Sequence, residues 1–218
     1  MRNFFFRPTL SALLALAAAG AQAAPPQRVE IGFELSRNGT VVAEVTHRLE
    51  HDGRTYSLAE NWSGRGLFAL AGNANRTSRG SIVADGLRPV EFEDRRTRRE
   101  PRRVEFNPAD KAPTLERQDQ LSLAWNFAFA PPRGTVTVRV ADGKRVTAYV
   151  YKVAGRERVK TPAGEFDGLK IVKQKDNPEA KSTEIWLAVD RGYLPVRVLI
   201  VDKEGTRMDQ VAARISLQ

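Results

Sequence analysis

Glycine follows an amide or acidic residue at Asn38-Gly39, Asp52-Gly53, Asp85-Gly86, Asp142-Gly143 and Glu204-Gly205, and between these pairs apolar and polar side chains alternate. No other feature restricts the chain as much. Asn-Gly and Asp-Gly provide the positive-φ positions of tight hairpin turns, and a period of two sends successive side chains to opposite faces of a strand. Val29, Ile31, Phe33 and Leu35 form one such face, with Glu30 and Glu34 on the other. The pattern predicts an all-β fold. It should be a single antiparallel meander of roughly ten to thirteen strands in a barrel-like or strongly curved sheet, with a two-sheet β-sandwich as the alternative. The last strand, Arg207 to Leu217, is expected to close against an early one. One short helix is predicted within Asp119 to Phe129, because Leu121, Ala124, Trp125 and Ala128 lie at helical spacing, Asp119 or Ser122 caps it, and Pro131-Pro132 ends it.

The stretch from Val159 to Ile200 reads as three consecutive strands. Gly164 closes the turn Thr161-Pro162-Ala163-Gly164, and Pro195 marks a strand start or a bulge, since it has no N–H to give a ladder. Val196 to Val201 is apolar except for Arg197, so that strand should be covered on both faces. Phe166, Trp186 and Tyr193 are the large aromatics of this region and are expected to line the core or a cavity. Arg145 to Val153 also carries apolar groups on both faces, which predicts a covering layer. The apolar run Leu67 to Leu70 is expected to close one end of the structure.

Four segments carry a family resemblance. Thr161-Pro162-Ala163-Gly164-Glu165-Phe166 precedes a strand, and Trp186-Leu187-Ala188-Val189-Asp190 is followed by Tyr193-Leu194-Pro195-Val196-Arg197. Gly86-Leu87-Arg88-Pro89 and Gln118-Asp119-Gln120-Leu121-Ser122 complete the set. In this order they resemble DUF3108, a family of bacterial exported proteins of unknown function. The resemblance implies an antiparallel barrel-like β protein, distantly similar in shape to periplasmic lipoprotein carriers. It brings no catalytic residues with it.

Arg2 and Arg7 flank the start of the chain, Leu10 to Ala19 is apolar, and Ala21-Gln22-Ala23 presents small residues where a signal peptidase reads them. Residues 1–23 are thus expected to be a cleaved signal peptide, residues 24–218 a single β domain, and the protein periplasmic. The chain has no cysteine, which removes lipoprotein anchoring, disulfides and thiolate chemistry. A formal net charge of +9 favours anionic surroundings, which in an envelope are phosphorylated lipids and glycans.

Motifs for chemistry are sparse. His47 and His51 are four apart on an extended strand, about 13 Å, too far to share a metal, and a surface or turn role is expected for both. No Gly-x-Ser-x-Gly elbow and no phosphate loop occur, so no catalytic residue, metal or cofactor is assigned. The basic stretch Arg95, Arg96, Arg98, Arg99, Arg102 and Arg103 contains one acid, Glu100, and is the candidate surface for an anionic membrane or glycan. Pro101 is expected to make its turn. No aromatic platform interleaves the arginines, so nucleic acid is not an expected partner. The leading expectation is a non-catalytic protein that binds an apolar or amphiphilic molecule, such as a lipid, in a curved β interior. The alternatives are a structural or interaction protein of the envelope docking through the basic hairpin, and third, an uncharacterised enzyme.

Overall fold

The structure, a computed structural model, describes residues 25–175, 177 and 180–218; the expected signal segment and its cleavage site lie outside the described residues. Thirteen strands follow in chain order: β1 Arg28–Arg37, β2 Thr40–His51, β3 Thr55–Gly64, β4 Ala74–Val83, β5 Gly86–Arg96, β6 Arg99–Glu105, β7 Gln118–Asp119, β8 Thr135–Ala141, β9 Val146–Thr161, β10 Gly164–Lys173, β11 Ser182–Ala188, β12 Leu194–Val201 and β13 Arg207–Leu217. One helix, α1, spans Ser122–Phe129. Among the described residues no helix is long and apolar enough to cross a membrane.

All strands share one sheet, ordered β6-β5-β4-β3-β2-β1-β13-β12-β11-β10-β9-β8-β7. The predicted meander is therefore correct, and so is the closure of the last strand on the first, with Val29 opposite Leu217 and Arg37 opposite Met208. Only the short β7–β8 pair is parallel. The sheet does not close as a hydrogen-bonded barrel, since β6 and β7 are its two edges.

The turns work by two devices. Asn38 and Gly39 adopt φ of 50° and 86°, as a two-residue hairpin requires. Asp52 and Asp142 instead open longer connections, where the carboxylate accepts N–H groups two and three residues on, from Arg54 and Thr55 and from Lys144 and Arg145. The basic hairpin turns at Thr97-Arg98, with Arg98 at φ 62°, and not at Pro101, which lies inside edge strand β6. An edge tolerates a missing N–H.

The core has two clusters that meet at the helix, one joining Val29, Ile31 and Phe33 of β1 to Trp125 of α1, the other joining Phe127 of α1 to Ile171 and Leu187. β11 is buried on both faces, Ile185 and Leu187 on one and Trp186 and Ala188 on the other. The second face is covered by the tip of the β9–β10 hairpin, where Val159 and Phe166 are buried, Trp186 Nε1 donates to Glu157 at 2.6 Å, and Ala163 N bonds Ala212 O of β13 at 3.0 Å. Two further expectations fail. The Val146, Ala148 and Val150 face of β9 is exposed to solvent, because β-branched residues suit a pleated surface even without a covering layer. Leu67 and Leu70 do not close an end; they are 85% and 77% exposed.

Candidate functional site

The concave interior has two ends. One is filled by α1, and a buried polar network holds it there. Gln118 Nε2 donates to Leu87 O at 2.8 Å and Thr114 O at 2.7 Å, while its Oε1 accepts from Ser122 Oγ at 2.8 Å. Asp119 Oδ1 accepts the N–H groups of Leu121 and Ser122, both at 2.8 Å, just ahead of the helix, while the N-cap position itself is Leu121, without a side-chain cap. Asp119 Oδ2 accepts from Ser78 Oγ at 2.6 Å, which in turn lies 2.9 Å from the Tyr56 hydroxyl. Asn126 Oδ1 takes the Leu87 N–H at 2.7 Å. Gly86 is required beside it, because a Cβ there would sit 2.2 Å from that oxygen. Two of the resemblance segments are thus physical partners. β5 and β7 lie near opposite edges of the sheet, so side chains join the edges where the backbone ladder does not.

A second polar set crosses strands β2 to β6 in register: His47 opposite Glu60, Glu60 opposite Arg76, Arg76 opposite Asp94 and Asp94 opposite Arg102. Glu60 Oε2 is 2.9 Å from His47 Nε2 and its Oε1 accepts from Arg76 Nη1 at 2.8 Å. Arg76 Nε lies 3.4 Å from Asp94 Oδ2, and Arg96 Nη2 donates to that oxygen at 2.8 Å. Trp125 Nε1 donates to His47 Nδ1 at 3.1 Å. An indole N–H only donates, so in the neutral ring Nδ1 accepts and the proton sits on Nε2, directed at Glu60. Burial pushes the Glu60 carboxyl up. The His47 hydrogen bond and the neighbouring charges, the Arg76 guanidinium among them, outweigh it and hold the carboxyl at about 2. Asp119 shows the opposite balance, since burial raises it despite its hydrogen bonds.

Next to this row the interior is open. A cleft of about 500 Å³ is lined by His47, Glu60 and Arg76 of the row with Trp62, by Gln210 and Met208 of β13, Val198 and Ile200 of β12, Ile185, Tyr149 and Tyr151, and by Leu121 and Leu123 at the start of the helix. It runs out between the strand ends at Lys181, Asp202 and Thr206. Among the described residues no group of three or more His, Asp or Glu side chains is arranged to hold a metal ion.

His47 corrects the sequence reading, because it is only 7% exposed and faces the interior. The signal was present: His47 alternates with Val45 and Leu49, Glu60 follows Leu58 by two, and Asp94 follows Phe92 by two, which puts all three on the apolar face of their strands. His51 has the turn role, with Nε2 2.9 Å from Pro25 O and its ring edge-on to Phe129.

The six arginines are dispersed. Arg95 and Arg103 flank Glu93 at 2.8 and 2.7 Å, and Arg96 binds Asp94. Arg102 ends the interior row and is half-buried, while Arg98 and Arg99 are exposed at the turn. Because the turn has two residues, Arg96 faces Arg99 across it, so Arg95 and Arg99 do not share a side. Phe166 and Trp186 are buried in the core and Tyr193 is half-buried at φ 61°; none of the three borders the cleft. Gly164, at φ 133°, closes the β9–β10 turn, and Pro195 is the buried second residue of β12, beside a bulge against β11.

An open, strongly curved antiparallel sheet with a helix in one end of its hollow defines a barrel-like β protein. Within that class the chain belongs to DUF3108, described as a protein family of unknown function, which it matches over residues 31–211. The fold is similar to a beta-barrel-like protein of the domain of unknown function DUF1849 from Brucella abortus, with TM-score 0.44, 7% identity, and coverage of 89% of this chain and 99% of that one. It is also similar to a chain of the Pseudomonas aeruginosa MucA/MucB complex, with TM-score 0.36, 18% identity, and coverage of 87% and 51%. No curated protein matches the chain.

Proposed function

We propose that the protein is exported by cleavage after Ala23, acts in the periplasm as a single β domain, and binds an apolar or amphiphilic molecule in the cleft without transforming it. The cleft carries this reading. Its volume, about 500 Å³, falls in the range of small-molecule sites, and aliphatic and aromatic side chains share its lining with the charged row, where Arg76 Nε is buried without a hydrogen-bond partner among the described residues. A hydrocarbon chain would lie against Ile185, Val198, Ile200 and Met208, and a polar head would meet Gln210 and Arg76.

The reading is tested by extracting the native protein with organic solvent and identifying co-purified amphiphiles by mass spectrometry, alongside titration with a fluorescent fatty acid. Bound amphiphile and saturable probe uptake are expected, and Ile200→Trp, which fills the cleft, should abolish both. Protein that carries no amphiphile and takes up no probe would overturn the proposal.

A further inference from the structure

The exposed apolar turn between β3 and β4 is the strongest feature outside the cleft. Leu67, Phe68 and Leu70 are 85%, 45% and 77% exposed on the 3-10 turn Gly66–Ala71. A turn that merely failed to pack would be loosely held, and this one is braced on both sides. A Cβ on Gly64 would lie 2.3 Å from Phe68 O, so the strand end packs directly on the turn's backbone. On the other side Asn73 N donates to Thr97 Oγ1 at 2.9 Å and Thr97 N to Asn73 O at 3.0 Å, and Gly72 leaves room for the Thr97 side chain. The backbone is fixed, and it fixes three large apolar groups outward.

The surroundings of the turn are basic. Its brace, Thr97, belongs to the β5–β6 turn that exposes Arg98 and Arg99; Glu100 is the adjacent acid, and Arg65 at the root is paired with Glu44. Across the same end of the sheet, Arg37 and Arg207 are also exposed. Protruding apolar side chains within a cationic rim match a bilayer with anionic headgroups, where phosphates meet guanidinium groups and acyl chains receive leucine and phenylalanine without a preformed pocket. A protein partner would need a concave apolar site of matching shape, with acidic groups around it.

We propose that this end of the molecule docks on a bilayer bearing anionic phospholipids, with Leu67, Phe68 and Leu70 among the acyl chains and Arg98 and Arg99 at the phosphates. Strand register puts the cleft at the same end. Trp62 of its wall is two residues from Gly64 and opposite Ala74, and Asn38 N bonds Arg207 O at 2.9 Å beside Thr206 and Met208 of the cleft. Docking would therefore turn the cleft opening toward the lipid. That last consequence rests on the proposed cleft function; the docking itself does not.

The test is co-sedimentation of the mature protein with vesicles of phosphatidylglycerol and phosphatidylcholine, and with phosphatidylcholine alone. Binding is expected only to the anionic vesicles and should fall steeply as salt rises to 0.15 M, where screening acts over about 8 Å. Leu67→Ser with Leu70→Ser should weaken it at least tenfold, taking about one decade as the minimum for losing burial of a leucine. Arg98→Gln with Arg99→Gln should remove most of the salt dependence. In a Phe68→Trp variant, brominated acyl chains should quench the new fluorescence. Unchanged binding of the leucine variant, or no quenching, overturns the proposal; so does a soluble protein that occupies the turn while vesicles are ignored. Ile200→Trp should still sediment, so failure of the cleft function and failure of docking are read separately.

Discussion

The two ends of the concave interior bury similar polar groups and use them differently. At the helix-filled end, Gln118, Asp119 and Asn126 bond backbone groups as well as the Ser122 and Ser78 hydroxyls, and the result is a joint between the two sheet edges. At the open end, His47, Glu60, Arg76 and Asp94 bond one another along a row, and the row borders a cleft. Trp125 touches both, as part of α1 and as the donor to His47. Burial alone therefore does not separate a structural polar group from a candidate binding group. What separates them is whether space adjoins the side chain once its partners are counted.

The comparison is broken most severely at the joint. Asp119→Ala would leave the Leu121 and Ser122 N–H groups and the Ser78 hydroxyl without their acceptor in a buried place, and should cost about 3 to 5 kcal/mol in denaturant unfolding. A loss under about 1 kcal/mol would mean that the edges are held together by apolar packing alone.

The charged row is probed by acid. A folded-state value near 2 for Glu60 lies below its ordinary 4.5, so the group contributes stability that is fully present above about pH 4.5 and is lost as pH falls toward 2. The contribution is of order 3 kcal/mol. Glu60→Gln should therefore be destabilised at pH 7, with the difference from the parent shrinking through pH 4 and vanishing near pH 2. Asp119 is raised and has the opposite sign: it favours the folded state at low pH and loses that contribution as pH rises above its ordinary value. Parallel pH profiles for the two sites would contradict the distinction between them.

The smallest effect is expected at the outer face. Arg95→Gln with Arg103→Gln removes two ion pairs from exposed arginines to the half-buried Glu93 and should change stability by less than about 1 kcal/mol each in the same unfolding measurement. A larger loss would show that the basic hairpin contributes to the closure it borders.

Much of the architecture was legible because it is local. Alternation at Val29 to Leu35, the Asn38-Gly39 pair and the helical spacing around Trp125 each act within a few residues, and each element formed where its pattern lay. The inward direction of His47 was equally legible from Val45 and Leu49, yet a histidine pair four apart invited a question about chelation and not one about parity. The arginine run shows a related limit. Its composition was plain, but the position of a two-residue turn decides which arginines face the interior, and that turn rests on Arg98 at positive φ and not on Pro101.

The sequence by itself determined most of the strands, the glycine-marked turns, the single helix and the family, since periodicity and turn chemistry depend only on near neighbours. Tertiary structure alone decided that His47, Glu60, Arg76 and Asp94 form one row, that Leu87 is held by both Gln118 and Asn126, and that Leu67 and Leu70 face outward. Those outcomes depend on register between strands and on how far the sheet curls around α1. Both are set by the sum of contacts made across long stretches of chain, which no local pattern encodes.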